Sequence, residues 1–256
     1  MLLSSVLAFW GHCALMSESA LWDAWPAVRS MLAGTGYGHA WLIGAVLMFA
    51  VVGLSLLRSG GDARFPFALW LALPGVALAR SNGGHPVDAG LFSVPVWVDW
   101  LHLLAIGTWG GLVAIATYVV VPQLADAPGS ERKNGAAFVQ SLSDAATFAL
   151  VVLFSSGAYN GWRGVGTSAN LFGSTYGQVL LLKLALVATA AALGGHNRFF
   201  GMPAPLAALK ESSPKTRAFV GPLRRFGVVL QMESLVLLGV LAAAAMLASS
   251  PLPGTI

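Results

Sequence analysis

Charge is what this sequence has least of. Asp, Glu, Lys and Arg make up 9% of its 256 residues, whereas a soluble domain needs roughly a quarter of its residues charged to cover its surface. With 57% hydrophobic residues and a mean hydropathy of +0.75, the chain has too little polar surface to face water, and lipid must solvate most of its exterior. Cysteine is nearly missing as well. Cys13 stands alone, which excludes an intramolecular disulfide and any CxxC metal or redox motif. The formal charge of +4 does not argue for nucleic acid, because the basic residues lie in short connections between apolar runs, where they orient a chain in a membrane. No GxxxxGK[ST] phosphate loop occurs, so direct ATP drive is not expected and a gradient or hand-off from a partner is.

What is abundant agrees with this. The 30 glycines suit transmembrane helices, which approach closely where residues are small. Seven apolar runs cover residues 2–16, 39–57, 65–79, 96–121, 144–162, 176–195 and 226–248. About 20 helical residues cross the hydrocarbon core, so the first run and the third, with Pro66 and Pro74, are short. If all seven span, one set of connections holds Arg58, Arg64, Arg132, Lys133, Arg198, Lys210, Lys215, Arg217, Arg224 and Arg225, ten of the 14 basic residues. The opposite set holds Arg29, Arg80 and Arg163, with Lys183 inside a span. The positive-inside rule then puts the amino terminus in the cytoplasm and the carboxyl terminus in the periplasm. The expected fold is an all-α polytopic transmembrane helix bundle of about seven spans, one domain over residues 1–256. A cleaved signal peptide ending near Ser19 or Ala20 is the rival reading of the first run, against which stand the missing basic n-region and Glu18.

This orientation sorts the histidines. His12, His39, His85 and His102 fall toward the outer face, with Cys13, Met16, Met31, Asp88 and Asp99. Imidazole and thioether donors together suit copper better than hard oxygen-loving ions. The alternative is an interfacial belt: Trp22, Trp25, Trp41, Trp97 and Trp100 gather there too, and histidines among them can simply face water or meet a carbonyl. Asp99, His102, Ile106 and Trp109 follow at i, i+3, i+7 and i+10 and so share one helical stripe. A carboxylate one turn from an imidazole fixes its tautomer and raises its basicity, and such a stripe faces the bundle interior. Lys183 and Glu233 are the ionisable groups deepest in spans, each about 10 Å from an end at 1.5 Å per residue; they read as an ion or proton path, or as a structural pair. His196, beside Asn197 and Arg198, reads as a helix-end cap.

Several segments together resemble the copper resistance protein D (CopD) family. VDWLHLLAIGTWGGL at 98–112 is similar to its DxxHxxA…W-x-G signature. The likeness continues through SSGAYNGWRGVG at 155–166, STYGQVLLLK at 174–183, HNRFFGMP at 196–203 and LRRFGVVLQME at 223–233. GTGYGHAW at 34–41 and GGHP at 83–86 resemble its upstream elements, and coverage runs from about Pro26 to Pro251. The resemblance implies a non-enzymatic inner-membrane protein of copper homeostasis, often encoded or fused with a periplasmic copper-binding CopC-type partner. Carried onto this chain, the matching positions are His85, Asp99, His102, Trp109, Lys183, Asn197, Arg198 and Glu233. His12 and His196 match no family position, and the family commonly has one more amino-terminal helix. Copper would be received at His85 and His102, supplemented by His39 or His12, and passed inward with Lys183 and Glu233 tuning the charge on the way. Two other classes stay open: a haem-binding redox protein, for which intramembrane histidines would be axial ligands, and a non-catalytic subunit of a larger membrane complex, docking through small-residue faces such as 242–245.

Overall fold

The computed structural model describes residues 2–56, 64–126, 129–210 and 216–253. Leu57, Arg58 and Lys215 lie outside the described residues, as do the side chains of Arg64, Arg132, Lys133, Lys210 and Arg217. The described residues are helical, with no strand among them. Five helical segments are long and apolar enough to cross a membrane: Gly36–Leu56, Val94–Leu124, Ala137–Val165, Thr175–Ala207 and Gly221–Ser249. The first and third runs form shorter apolar helices, Leu3–Met16 and Ala68–Ser81. The helical membrane bundle is therefore what the chain builds, with five segments of spanning length where seven runs were counted. Two compact units divide it, Met1–Leu104 and Ala105–Ile256.

The first unit contains α1 (Leu2–Met16), α2 (Trp25–Gly34), α3 (Gly36–Leu56), α4 (Arg64–Ser81) and the start of α5 (Val94–Ile115). Helix α2 was not anticipated, because ten residues with Arg29 and Ser30 give no spanning signal. Its Val28, Met31 and Leu32, at i, i+3 and i+4, nevertheless make an apolar face that packs on Phe9 and Cys13. Pro26 opens α2, where a missing N–H is tolerated, and Thr35 Oγ1 accepts from Gly38 N at 2.9 Å as α3 begins. The tryptophans divide in two. Trp22 is 81% exposed and Trp25 is exposed with it, as a membrane belt requires. Trp41 instead stacks on Phe9 at 4.4 Å and donates to Ser5 Oγ at 3.1 Å, while Trp100 Nε1 donates to the Pro74 carbonyl at 2.9 Å.

The second unit contains the rest of α5, α6 (Val121–Asp126), α7 (Gly129–Val165), α8 (Ser168–Gly173), α9 (Thr175–His196), α10 (Pro203–Lys210) and α11 (Thr216–Ser249). Gly166, at φ +66°, takes the left-handed conformation that closes α7. Thr167 and Ser174 then cap α8 and α9 through their hydroxyls. Along α11, Leu230, Glu233, Leu237, Val240, Ala243 and Leu247 are buried. Their spacings of three or four keep them on one face of the helix, which places the Glu233 carboxylate in the stripe that packs. The opposite faces carry exposed Leu235, Leu238, Phe148 and Val151, the side that hydrocarbon solvates at no cost. Two π-turns interrupt the long helices, at Ala116–Val120 and Asn197–Gly201. In the second, Met202 N donates to the Asn197 carbonyl five residues back, at 2.7 Å. Single π-turns of this kind concentrate at functional sites, where they re-aim a side chain.

Candidate functional site

Glu233 is 2% exposed. Its Oε1 accepts a hydrogen bond from Trp109 Nε1 at 3.1 Å, and Trp109 is also buried, at the foot of the α5 stripe. Gly194 on α9 makes the room: a Cβ there would stand 2.9 Å from Glu233 Oε1. The carboxylate is thus held between α5 and α9 by an indole and a missing methyl. Lys183 precedes Gly194 on α9 by eleven residues, about 16 Å along a helix axis, beyond the reach of a lysine side chain. The partner that the structure gives Glu233 is Trp109, and a direct pair with Lys183 is out of range.

One turn beyond Gly194, the π-turn sets Asn197 and Arg198 on different tasks. Asn197 is 2% exposed. It donates from Nδ2 to the Phe226 carbonyl at 3.3 Å, while its Oδ1 has no hydrogen-bond partner among the described residues. That oxygen lies against Gly201, where a Cβ would collide with it. Arg198 turns to α7: it donates to Ser143 Oγ at 2.8 Å and to Asp144 Oδ1 at 2.7 Å, which also accepts from Gln140 Nε2 at 3.1 Å. His196 is the last residue of α9, in the helix-end position expected of it. The chain runs on through the π-turn, and the exposed imidazole leans on Phe200 at 5.4 Å, since residues four apart share a face.

Trp109, Asn197, Arg198 and Glu233 line one cavity of about 240 Å³. It separates two apolar clusters of this unit, one around Val113, Leu153 and Val187 and the other around Val139, Phe226 and Leu230. Both π-turns contribute to its wall, through Ala116 and Asn197. Four of the residues singled out from sequence therefore meet in one place. Gly194, Ser143, Asp144 and the Phe226 carbonyl were missed. For Asp144 there was a signal, a carboxylate at the start of an apolar run.

The outer candidates belong to the first unit. Asp99 Oδ2 accepts from the buried Ser81 hydroxyl at 2.8 Å, and His102 lies one turn further along α5 on the less exposed side of the helix. His85 opens a 3-10 turn, His85–Ala89, with Nδ1 4.0 Å from Asp88 Oδ2. His12 sets its ring 5.0 Å from Tyr37, and His39 is exposed on α3. Cys13 Sγ is 3.5 Å from Met31 Sδ. Among the described residues, no three His, Cys, Asp or Glu side chains gather closely enough to hold a metal ion.

The profile of the family described as copper resistance protein D matches residues 136–247, which include the α7, α9 and α11 walls of the cavity but not α5. Copper transport protein CutJ of Bacillus subtilis (strain 168) is 28% identical over 172 residues, 65% of this chain and 31% of that protein. Copper resistance protein D of Pseudomonas syringae pv. tomato is 33% identical over 214 residues, 79% of this chain and 66% of that protein. The chain thus matches less than a third of one relative's length and about two thirds of the other's. No solved structure matches. Apolar helices of spanning length and these likenesses together make the chain a multi-pass membrane protein, and it belongs to the copper resistance protein D family.

Proposed function

We propose that this protein moves copper across the bacterial cytoplasmic membrane, receiving it at the outer face and passing it inward through the helix bundle. The observation that carries this is a set of apolar helices of spanning length in a chain of the copper resistance protein D family, with polar groups set deep among them. Polar groups within a membrane are expensive and are kept where they serve transport. One relative is named a copper transport protein and another a copper resistance protein, which agrees with this reading. His85 and His102 would receive the ion, supplemented by His39 or His12. Imidazole donors suit copper, and Asp99, one turn before His102 in sequence, would orient that ring. A periplasmic copper-binding protein of the CopC type would deliver it, and no chemical conversion of a substrate is proposed.

The test is direct. Purified protein carrying both His85→Ala and His102→Ala is expected to bind less copper than the wild type in equilibrium dialysis. Unchanged stoichiometry and affinity would remove the outer site from the proposal. Liposomes containing wild-type protein are expected to accumulate added copper faster than empty ones, and equal rates would remove transport.

A further inference from the structure

The cavity around Glu233 has the wrong donors for a copper site. Its polar atoms are a carboxylate, a carboxamide, hydroxyls and a guanidinium, and its described lining includes no histidine or cysteine. Met202 supplies a sulfur, but it is packed into the cluster with Val120, Phe226 and Leu230. Soft thioether and imidazole donors favour copper, whereas oxygen atoms favour water, protons and hard cations.

Two groups in the cavity have unfilled hydrogen-bonding capacity. Asn197 Oδ1 is buried without a donor, a state that costs about 1–3 kcal/mol unless water meets it. The Glu233 carboxyl has several acceptor positions and receives the Trp109 indole at one of them. The space has room for water: about 240 Å³ equals the volume of on the order of eight molecules at ~30 Å³ each, and although most of the lining is apolar, Asn197 and Glu233 give water polar partners. The access is short. Arg198, at one end of the lining, pairs with the exposed Asp144, and an exposed ion pair belongs at the membrane–water boundary rather than in hydrocarbon. Gly194, which touches Glu233, lies four residues from Arg198, about 6 Å along the helix.

We propose that Glu233 is a proton-carrying carboxyl, loaded and unloaded through this cavity from its Arg198 end, so that the cavity conducts protons along water while copper takes another course. Water at the Arg198 end gives one proton to the carboxylate, and the neutral acid returns one proton to water. No electron moves and no bond other than O–H changes. The charged group that shares the cavity lining with Glu233 is Arg198 from the π-turn; its partner Asp144 on α7 is exposed, and the exposed Tyr118 bonds Ser234, the next residue along α11, at 2.9 Å. Trp109 from α5 and Gly194 from α9 do not titrate, and Arg224, Arg225 and His196 are exposed.

The experiment needs no copper, so its failure is separate from failure of the copper reading. Infrared difference spectra of the purified protein in nanodiscs are recorded across pH, for wild type and Glu233→Gln. The expected result is a carboxylic C=O band that disappears as pH rises in the wild type and is missing from the variant. A band unchanged by Glu233→Gln, or no titrating band at all, overturns the proposal. Glu233→Asp serves if the amide does not fold: it must move the band, and an unmoved band also overturns the proposal. Access is tested with Ala146→Leu, which places bulk in the cavity wall. It is expected to slow deuterium exchange of that band by an order of magnitude, and an unchanged rate rules out this cavity as the path.

Discussion

Trp109 donates its indole N–H to Glu233 Oε1 across 3.1 Å and across 124 residues of sequence. The bond ties α5 to α11 at a level where both side chains are shielded from solvent. Its strength follows from that burial, because an acceptor with few competing partners loses most when its donor is taken away.

Trp109→Phe keeps most of the ring and removes the donor. The expected loss is about 1–3 kcal/mol of stability, read as a lower unfolding midpoint of the purified protein in detergent. In a double-mutant cycle with Glu233→Leu, which removes the acceptor, the two losses are expected not to add. Strict additivity would mean that the bond does not contribute.

Gly194 and Gly195 are neighbours with opposite surroundings. A Cβ at Gly194 meets the Glu233 carboxylate, whereas one at Gly195 meets nothing within 4 Å. Gly194→Ala is expected to destabilise by about 1–3 kcal/mol through overpacking and to lower transport. Gly195→Ala removes backbone entropy from a helix and is expected to be neutral or to stabilise by about 0.5–1 kcal/mol. Thermal unfolding of the two variants side by side checks the contrast.

Asp99 accepts from Ser81 at 2.8 Å and stands one turn before His102. If the carboxylate orients that imidazole, Asp99→Asn is expected to weaken copper binding by about 10–100-fold, measured by chelator competition, with a smaller effect from Ser81→Ala. Affinity unchanged by Asp99→Asn would reduce Asp99 to a structural contact.

The pair of Arg198 and Asp144 at 2.7 Å is exposed on the carboxylate side, where salt screens it and its net worth is small. Asp144→Asn is expected to leave the unfolding midpoint unchanged, and exchanging the two residues, Arg198→Asp with Asp144→Arg, to be tolerated. A drop of several degrees from Asp144→Asn would show that the pair is shielded within the membrane.

Much of this was legible along the chain. The shortage of charge required lipid as the solvent, and the apolar runs located the membrane helices closely: the run at 39–57 became α3 (Gly36–Leu56), and that at 176–195 became α9 (Thr175–His196). Both signals are local, since a helix satisfies its own backbone and needs only sufficient apolar length. The stripe through Asp99 and Trp109 was legible for the same reason, a period of 3.6 residues. Helix α2 escaped because its apolar face is three residues wide and its partner, Phe9 with Cys13, lies in another helix.

What the chain alone determined was therefore a helical membrane protein with a few polar groups set deep in its helices. The tertiary structure decided how those groups are partnered. Glu233 meets Trp109 and lies out of reach of Lys183, because packing of α9 and α11 brings Gly194, and not Lys183, to its level. Asn197 and Arg198 adjoin in sequence and both line the cavity, yet one reaches the Phe226 carbonyl of α11 and the other binds α7, because a π-turn changes the helical phase between His196 and Met202. Rotation and depth of one helix against another depend on contacts between residues far apart in sequence, and no local period encodes them.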